Sequence, residues 1–366
     1  MRAGPIPQST GSGAEMAALV VIAPGARSTV QDLGFRQARG QGVPAGGVMD
    51  RRALLLLNAL LGDPPGTEAI EVALLPPVLR AEGGAVRIAL GGTLRGRIIG
   101  ADGTARPCPS WTATTLREGE TLHPDPPDRG GLGLIGVAGG IEVPRVLGSR
   151  STCLRAGFGG VAGRALRAGD RLGCCPAAEG LPALGLRPPP QADGPIRIVP
   201  GPQGEWFAPD AIAAFCATPW GVTAQTDRMG MRLDGPPLAF AAGKGADIVS
   251  DGIAPGAVQV PGNGRPIVLL ADAQTTGGYA KIATVIGADL PRLAAAMPGD
   301  TLRFAAVDVA AAEAAARAEA ATIARAAATI GPRMPGAPDP GTLMALNLVD
   351  GMIDMARPDH FPGHLG

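Results

Sequence analysis

The segment Asp227 to Leu233, DRMGMRL, sets two arginines, Arg228 and Arg232, four residues apart around a glycine. Two guanidiniums on a flexible turn can clamp a carboxylate or a phosphate, because each presents a planar fork of donors to paired oxygens. The plainer alternative is a solvated turn in which each arginine pairs a neighbouring Asp. A second segment, Gln274 to Lys281, QTTGGYAK, follows the apolar run IVLLADA and holds the only tyrosine, Tyr279, and one of only two lysines, Lys281. Gln274, Thr275 and Thr276 supply polar side chains there, and Gly277 and Gly278 let backbone N–H groups face an anion. Its plain alternative is an ordinary strand-turn-helix connection.

Other motifs fail on context. Gly131 to Gly136 spells G-x-G-x-x-G, but a dinucleotide site needs that motif to open a helix, and here strand-like sequence continues past it. Gly243-Lys244-Gly245 lacks both the hydroxyl and the glycine spacing of a P-loop. No G-x-S-x-G occurs, and His123, His360 and His364 sit in turn or tail sequence, so a general base must be a carboxylate, a lysine or the tyrosine. Five cysteines without a C-x-x-C spacing signal neither a disulfide framework nor a metal site and suit a reducing compartment, the cytoplasm.

The elements that must position these residues are short. Of 366 residues, 56 are Gly and 37 Pro, which leaves little room for long helices, yet 46% are hydrophobic, enough for a packed core. The expected class is therefore mainly β, many strands joined by tight turns. A net charge of zero argues against nucleic acid or an anionic membrane surface as partner, and no uncharged apolar run is long enough to span a bilayer. Residues 1–18 read as a disordered tail and 19–176 as a first β domain. Within the latter, Asp50 caps a helix that ends at Gly62-Asp63-Pro64-Pro65. A Pro-rich linker follows over 177–194, and 195–306 form a second β domain with short helices from 210 to 215 and from 291 to 297. Residues 307–366 form a C-terminal helical extension, one Ala-rich helix from Val307 to Thr329 and then a docking segment around Leu343, Leu346, Leu348 and Val349.

In order along the chain stand VQDLG (30–34), GVPAGGVMD (42–50) with Asn58 and Glu71 after it, GGIEVPRVLGSRST (139–152), GGVAGRALRAGD (159–170), TDRMGMRL (226–233), the block from Ser250 to Leu290, and PGDTLRF (298–304). This series resembles the carboxyltransferase-type family that includes the C subunit of 5-oxoprolinase, allophanate hydrolase subunit 2 and the Kip-type antagonist proteins. The resemblance covers residues 20 to 306. One departure is Phe35, where the family usually has Arg directly after Q-D-x-G; Arg36 follows it here.

The resemblance implies two cyclophilin-like β-barrel units with few short helices and an added C-terminal helix. It implies a complex with a smaller B-type, Kip inhibitor-like protein and with an A-type protein, in which ATP is co-substrate for opening 5-oxo-L-proline to L-glutamate. The alternatives are a biotin-dependent carboxyltransferase component acting on urea or a related amide, with carboxybiotin supplied by another polypeptide, and a regulatory module that binds a kinase-inhibitor partner. In the two enzymatic readings the ligand is a small amide. Arg228 and Arg232 are then the candidates for an anionic group, with Lys281, Tyr279 and the amides of Gly277 and Gly278 completing the cradle. Asp32, Asp50 and Asp227 are candidates for holding or deprotonating the amide nitrogen, Asp50 doubling as a helix cap. Ser250, Gln259, Gln274, Thr275 and Thr276 are candidate substrate contacts, and Arg150 and Arg164 candidates for the groove or the interface with a partner. No metal ligand set is expected.

Overall fold

Alternating apolar positions build two seven-stranded antiparallel sheets, all but one of their strands from the first half of the chain. In spatial order the first holds Ile141–Glu142, Arg171–Cys174, Ala18–Ala23, Val78–Glu82, Thr121–Pro124, Gly96–Ile99 and Ala105–Cys108. The second holds Arg27–Gln31, Ala69–Ala73, Leu132–Val137, Val86–Gly92, Thr112–Leu116, Leu184–Gly185 and Gly331–Pro332. Leu19, Leu79, Ile98 and Leu122 of the one meet Val30, Ile70, Ile88 and Ile135 of the other in a dry core, where each such side chain contributes about 1.5–3 kcal/mol. The structure, a computed structural model, describes residues 17–128 and 131–333.

Helix α1 (Arg51–Leu61) lies on the opposite face of the second sheet, its Leu54, Leu57 and Leu60 packed against Ala69, Ala89, Ala113 and Leu134. Asp50 caps it by accepting from Ala53 N at 2.8 Å, and Gly62 ends it with a φ of 78°. Gly136 explains why the helix can come so close: a Cβ there would sit 2.7 Å from both Leu57 and Leu61. The G-x-G-x-x-G string therefore belongs to a central strand, hydrogen-bonded on both sides, and its last glycine serves helix packing.

The second half forms one eight-stranded sheet in the order Thr301–Leu302, Trp220–Thr226, Gly230–Asp234, Ile267–Leu269, Ala257–Gln259, Lys281–Val285, Ile196–Pro200 and Phe304–Ala306. The two edge strands are separated in sequence only by Arg303, so one length of chain borders both ends and the sheet nearly closes as a barrel. Phe215 and Phe304 stack inside it at 4.6 Å, beside Trp220, whose indole donates to Phe215 O at 2.9 Å. Helices α2 (Ala211–Ala217) and α3 (Leu290–Ala294) are short, and α4 (Val309–Ala327), capped by Asp308, packs on α1. Outside the barrel sheet, Asp247–Gly252 and Thr276–Tyr279 make a two-stranded ribbon.

The chain is thus mainly β, with four α-helices among the described residues. Several local expectations change. Ala18 already pairs with Gly173 and Glu82, inside the span read as tail, whereas residues 1–16 lie outside the described residues. The Pro-rich segment is more than a spacer: Leu184–Gly185 joins the second sheet, and Arg52 donates to the carbonyls of Pro189 and Pro190 at 2.8 and 2.9 Å. The 291–297 helix stops at Ala294. The expected docking segment at 343–349 and the end of the chain lie outside the described residues.

Candidate functional site

The strands Trp220–Thr226, Gly230–Asp234, Ala257–Gln259 and Ile267–Leu269, with Gln274 and Tyr279, surround a cavity of about 720 Å³. Its polar lining is Gln225, Thr226, Asp227, Arg232, Gln259, Gln274 and Tyr279. Strand geometry explains the selection. Residues 231 and 233 point into the barrel core and are buried, so Arg232 between them must face outward, and it is exposed. Gln259 is buried and donates weakly to Tyr279 O at 3.4 Å. Asp227 turns one carboxylate oxygen to Met229 N and Gly230 N, at 2.8 and 3.2 Å, which shapes the turn and leaves its other oxygen to the cavity. Among the described residues Arg232 has no carboxylate partner.

Five expected site residues, Asp227, Arg232, Gln259, Gln274 and Tyr279, therefore come together. Arg228 does not join them. Its side chain is 7% exposed and enclosed by Glu71, by Asp272 at 2.8 and 2.9 Å, and by Gly47 O at 2.6 Å. Burial alone would depress this guanidinium, but the two carboxylates hold it above its ordinary value. It is a strut between the halves, neither the clamp nor the solvated turn expected of it. Lys281 is likewise engaged: Nζ donates to Asp251 Oδ2 at 2.6 Å and Gly252 O at 2.9 Å, which ties the ribbon to the barrel and holds the Asp251 carboxyl below its usual range.

The remaining candidates have structural partners. Asp32 accepts from Gly34 N, Ser149 Oγ and Ser151 Oγ at one carboxylate oxygen and from Arg150 N at the other, all at 2.6–2.7 Å, and does not line the cavity. Asp50 is the helix cap, and burial pushes its carboxyl up to about 6. Arg150 pairs Glu68 at 2.8 Å and Arg164 pairs Asp170 through two bonds of 2.7 Å. Ser250, Thr276, Gly277 and Gly278 lie in the ribbon and Thr275 leads into it, none of them lining the cavity. Gly277 and Gly278 are in paired extended strand, so the expected turn of inward-facing amides is replaced by a ladder. Phe35, the departure from the family pattern, is fully buried against Phe158 at 5.1 Å, and Arg36 faces a separate, apolar groove of about 800 Å³ beside α1 and α4.

Gln225, Met229 and Asp251 escape sequence reasoning, although Met229 and Asp251 sit inside the segments it singled out. Chemically, the cavity offers side-chain amides that both donate and accept, one guanidinium, one phenol and one carboxylate. It has no thiol or imidazole, and Cys108 and Cys174, pushed up to about 12 by burial, are inert. The arrangement is suited to holding a small polar molecule that carries an amide and an anionic group.

Neither of the two longer helices leaves its N-terminus free for a triphosphate. The N-termini of α1 and α4 are filled by Asp50 and Asp308, and the other two helices are shorter than eight residues. Among the described residues no helix is long and apolar enough to cross a membrane.

Residues 41–306 match the family model described as carboxyltransferase domain, subdomain A and B. The chain belongs to that carboxyltransferase family. It is 37% identical over 289 residues to the C subunit of 5-oxoprolinase from Escherichia coli, covering 78% of this chain and 90% of that protein. The C subunit of the Haemophilus influenzae 5-oxoprolinase is 36% identical, covering 77% and 89%. Urea amidolyase of Saccharomyces cerevisiae is 30% identical, but the 79% of this chain that matches spans 17% of that protein. Among solved structures, that of TTHA0988 superposes with a TM-score of 0.69 at 33% identity, covering 83% of this chain and 60% of that one. The Kluyveromyces lactis urea carboxylase superposes with a TM-score of 0.75 at 28% identity, covering 84% and 29%. Within the carboxyltransferase family, the cavity described above lies in strands of the matched region.

Proposed function

We propose that this chain is the C subunit of an ATP-dependent 5-oxoprolinase, which opens the lactam of 5-oxo-L-proline to L-glutamate in the cytoplasm, together with a Kip inhibitor-like B-type protein and an A-type protein. The observation that carries the reading is the pairing of an unpartnered guanidinium, Arg232, with the side-chain amides of Gln225, Gln259 and Gln274 around one cavity. 5-Oxoproline has one carboxylate for the guanidinium and a lactam N–H and C=O for the amides. In this reading Asp227 accepts a hydrogen bond from the ring nitrogen and Tyr279 donates one to the carbonyl. Near-full-length matches to the two 5-oxoprolinase C subunits support the same reading, since the urea-acting relatives are matched over only 17–24% of their length. ATP is assigned to a partner protein, because neither of the longer helices here leaves its N-terminus free for a triphosphate.

A second reading, carboxyl transfer from carboxybiotin on another polypeptide to urea, is favoured by the closer superposition on the Kluyveromyces lactis enzymes. Urea has no carboxylate, but carboxybiotin brings one, so Arg232 suits both readings and the assay separates them. The test is reconstitution with the A-type and B-type proteins, followed by assay of ATP-dependent glutamate release from 5-oxoproline. Release that requires this chain, with a KM raised by Arg232→Gln, is the expected result. Absence of release from the complete assembly, with urea carboxylated when a biotin carboxylase is supplied, would overturn it.

A further inference from the structure

The first half of the chain touches the wall of the cavity at Met229. Residues 153–158 form a tight turn closed by Cys153 N to Phe158 O and Gly157 N to Cys153 O, both 2.9 Å. Its base is pinned by buried Cys153 and by the Phe158 ring against Phe35. Gly159, at a φ of 74°, continues the turn where a Cβ would come within 2.1 Å of Ser151 O. Arg155 stands at the tip of this anchored turn, exposed, with Nη1 2.7 Å from Sδ of Met229, a residue of the cavity wall. A thioether is a weak acceptor, so most of the five guanidinium donors are left for something else. Among the described residues Arg155 has no carboxylate partner.

Two guanidiniums without a carboxylate partner among the described residues therefore stand at this wall: Arg232, which lines the cavity from the barrel strand, and Arg155, on the turn from the other half, which touches the wall at Met229. One carboxylate is satisfied by one bidentate arginine; two arginines on separate elements match two carboxylates on one small molecule. We propose that Arg155 is a specificity-determining residue that binds the second carboxylate of a dicarboxylate held in this cavity. Resting on the function proposed above, that dicarboxylate is the opened product. Addition of water to the lactam breaks the C–N bond and forms a C–O bond. The carbonyl carbon becomes a new carboxylate, the nitrogen leaves as the ammonium of glutamate, and the number of carboxylates rises from one to two. Arg155 then interacts with the product's new group and not with the substrate's original one.

The experiment uses the full chain assembled with its partner proteins and two probes that are not substrates, glutarate and butyrate, titrated calorimetrically. Arg155→Gln is expected to weaken glutarate about tenfold and butyrate far less, and Arg155→Lys to recover part of the loss. In turnover, the same substitution relieves product inhibition by glutamate. Equal losses for both probes, or undiminished glutarate binding in a variant whose thermal unfolding matches the parent, would overturn the proposal. Because the probes do not turn over, failure of the assembly to open 5-oxoproline counts against the proposed function alone.

Discussion

Arg228 and Arg232 stand four residues apart and do opposite work. Arg228 faces inward to carboxylates 157 and 44 positions away in sequence, Glu71 and Asp272, whereas Arg232 faces the cavity. Arg228→Met is expected to cost about 3–5 kcal/mol of stability by leaving two buried carboxylates without their cation, read as a lower denaturation midpoint. Arg232→Gln should change stability by less than about 0.5 kcal/mol yet raise the KM for a carboxylate-bearing substrate by roughly ten- to a hundredfold, the worth of one charged hydrogen bond. Asp50 gives the pH dependence. Its carboxyl is raised from 3.8 to about 6 because burial disfavours the charge, so its contribution to stability is full below about pH 4 and is lost as pH rises through 6. Asp50→Asn keeps the capping acceptor without the charge. It should unfold at a higher temperature than the parent at pH 8 and at the same temperature at pH 4.

At the scale of elements, the ribbon of 247–252 and 276–279 carries Tyr279 to the cavity, and its first strand is almost wholly exposed. Lys281 anchors it through Asp251 and Gly252, and Gln203 adds a bond to Asp251 at 3.2 Å. Lys281→Met should raise amide exchange along the ribbon by at least tenfold while the barrel strands keep their protection, since local opening is governed by local contacts. Unchanged ribbon exchange would show that the ladder alone holds it. The strand alternation at 196–199 and the capped helix after Asp50 were legible in the sequence because each is set by near neighbours. The ribbon was not, because QTTGGYAK has the composition of a turn and becomes a strand only by pairing with 247–252.

The two halves form one compact unit through Pro332. Polar links run between them in both directions: Arg228 to Glu71 and Gly47, Arg39 to Ile253 O, and Gly46 N to Ala271 O at 2.8 Å. Calorimetric unfolding should therefore give a single transition with equal van't Hoff and calorimetric enthalpies, and Arg228→Met should split it. A parent protein that already melts in two steps would mean that the halves are only tethered. The sequence by itself determined the mainly β class, the capped helix, the exclusion of phosphate-loop and triad chemistry, and the family, since these depend on composition, short-range spacing and ordered motifs. Only the tertiary structure decided which charged residues serve ligand and which serve the fold. Whether Arg228, Lys281 or Asp32 is free depends on partners brought from distant parts of the chain, and spacing along the chain carries no record of them.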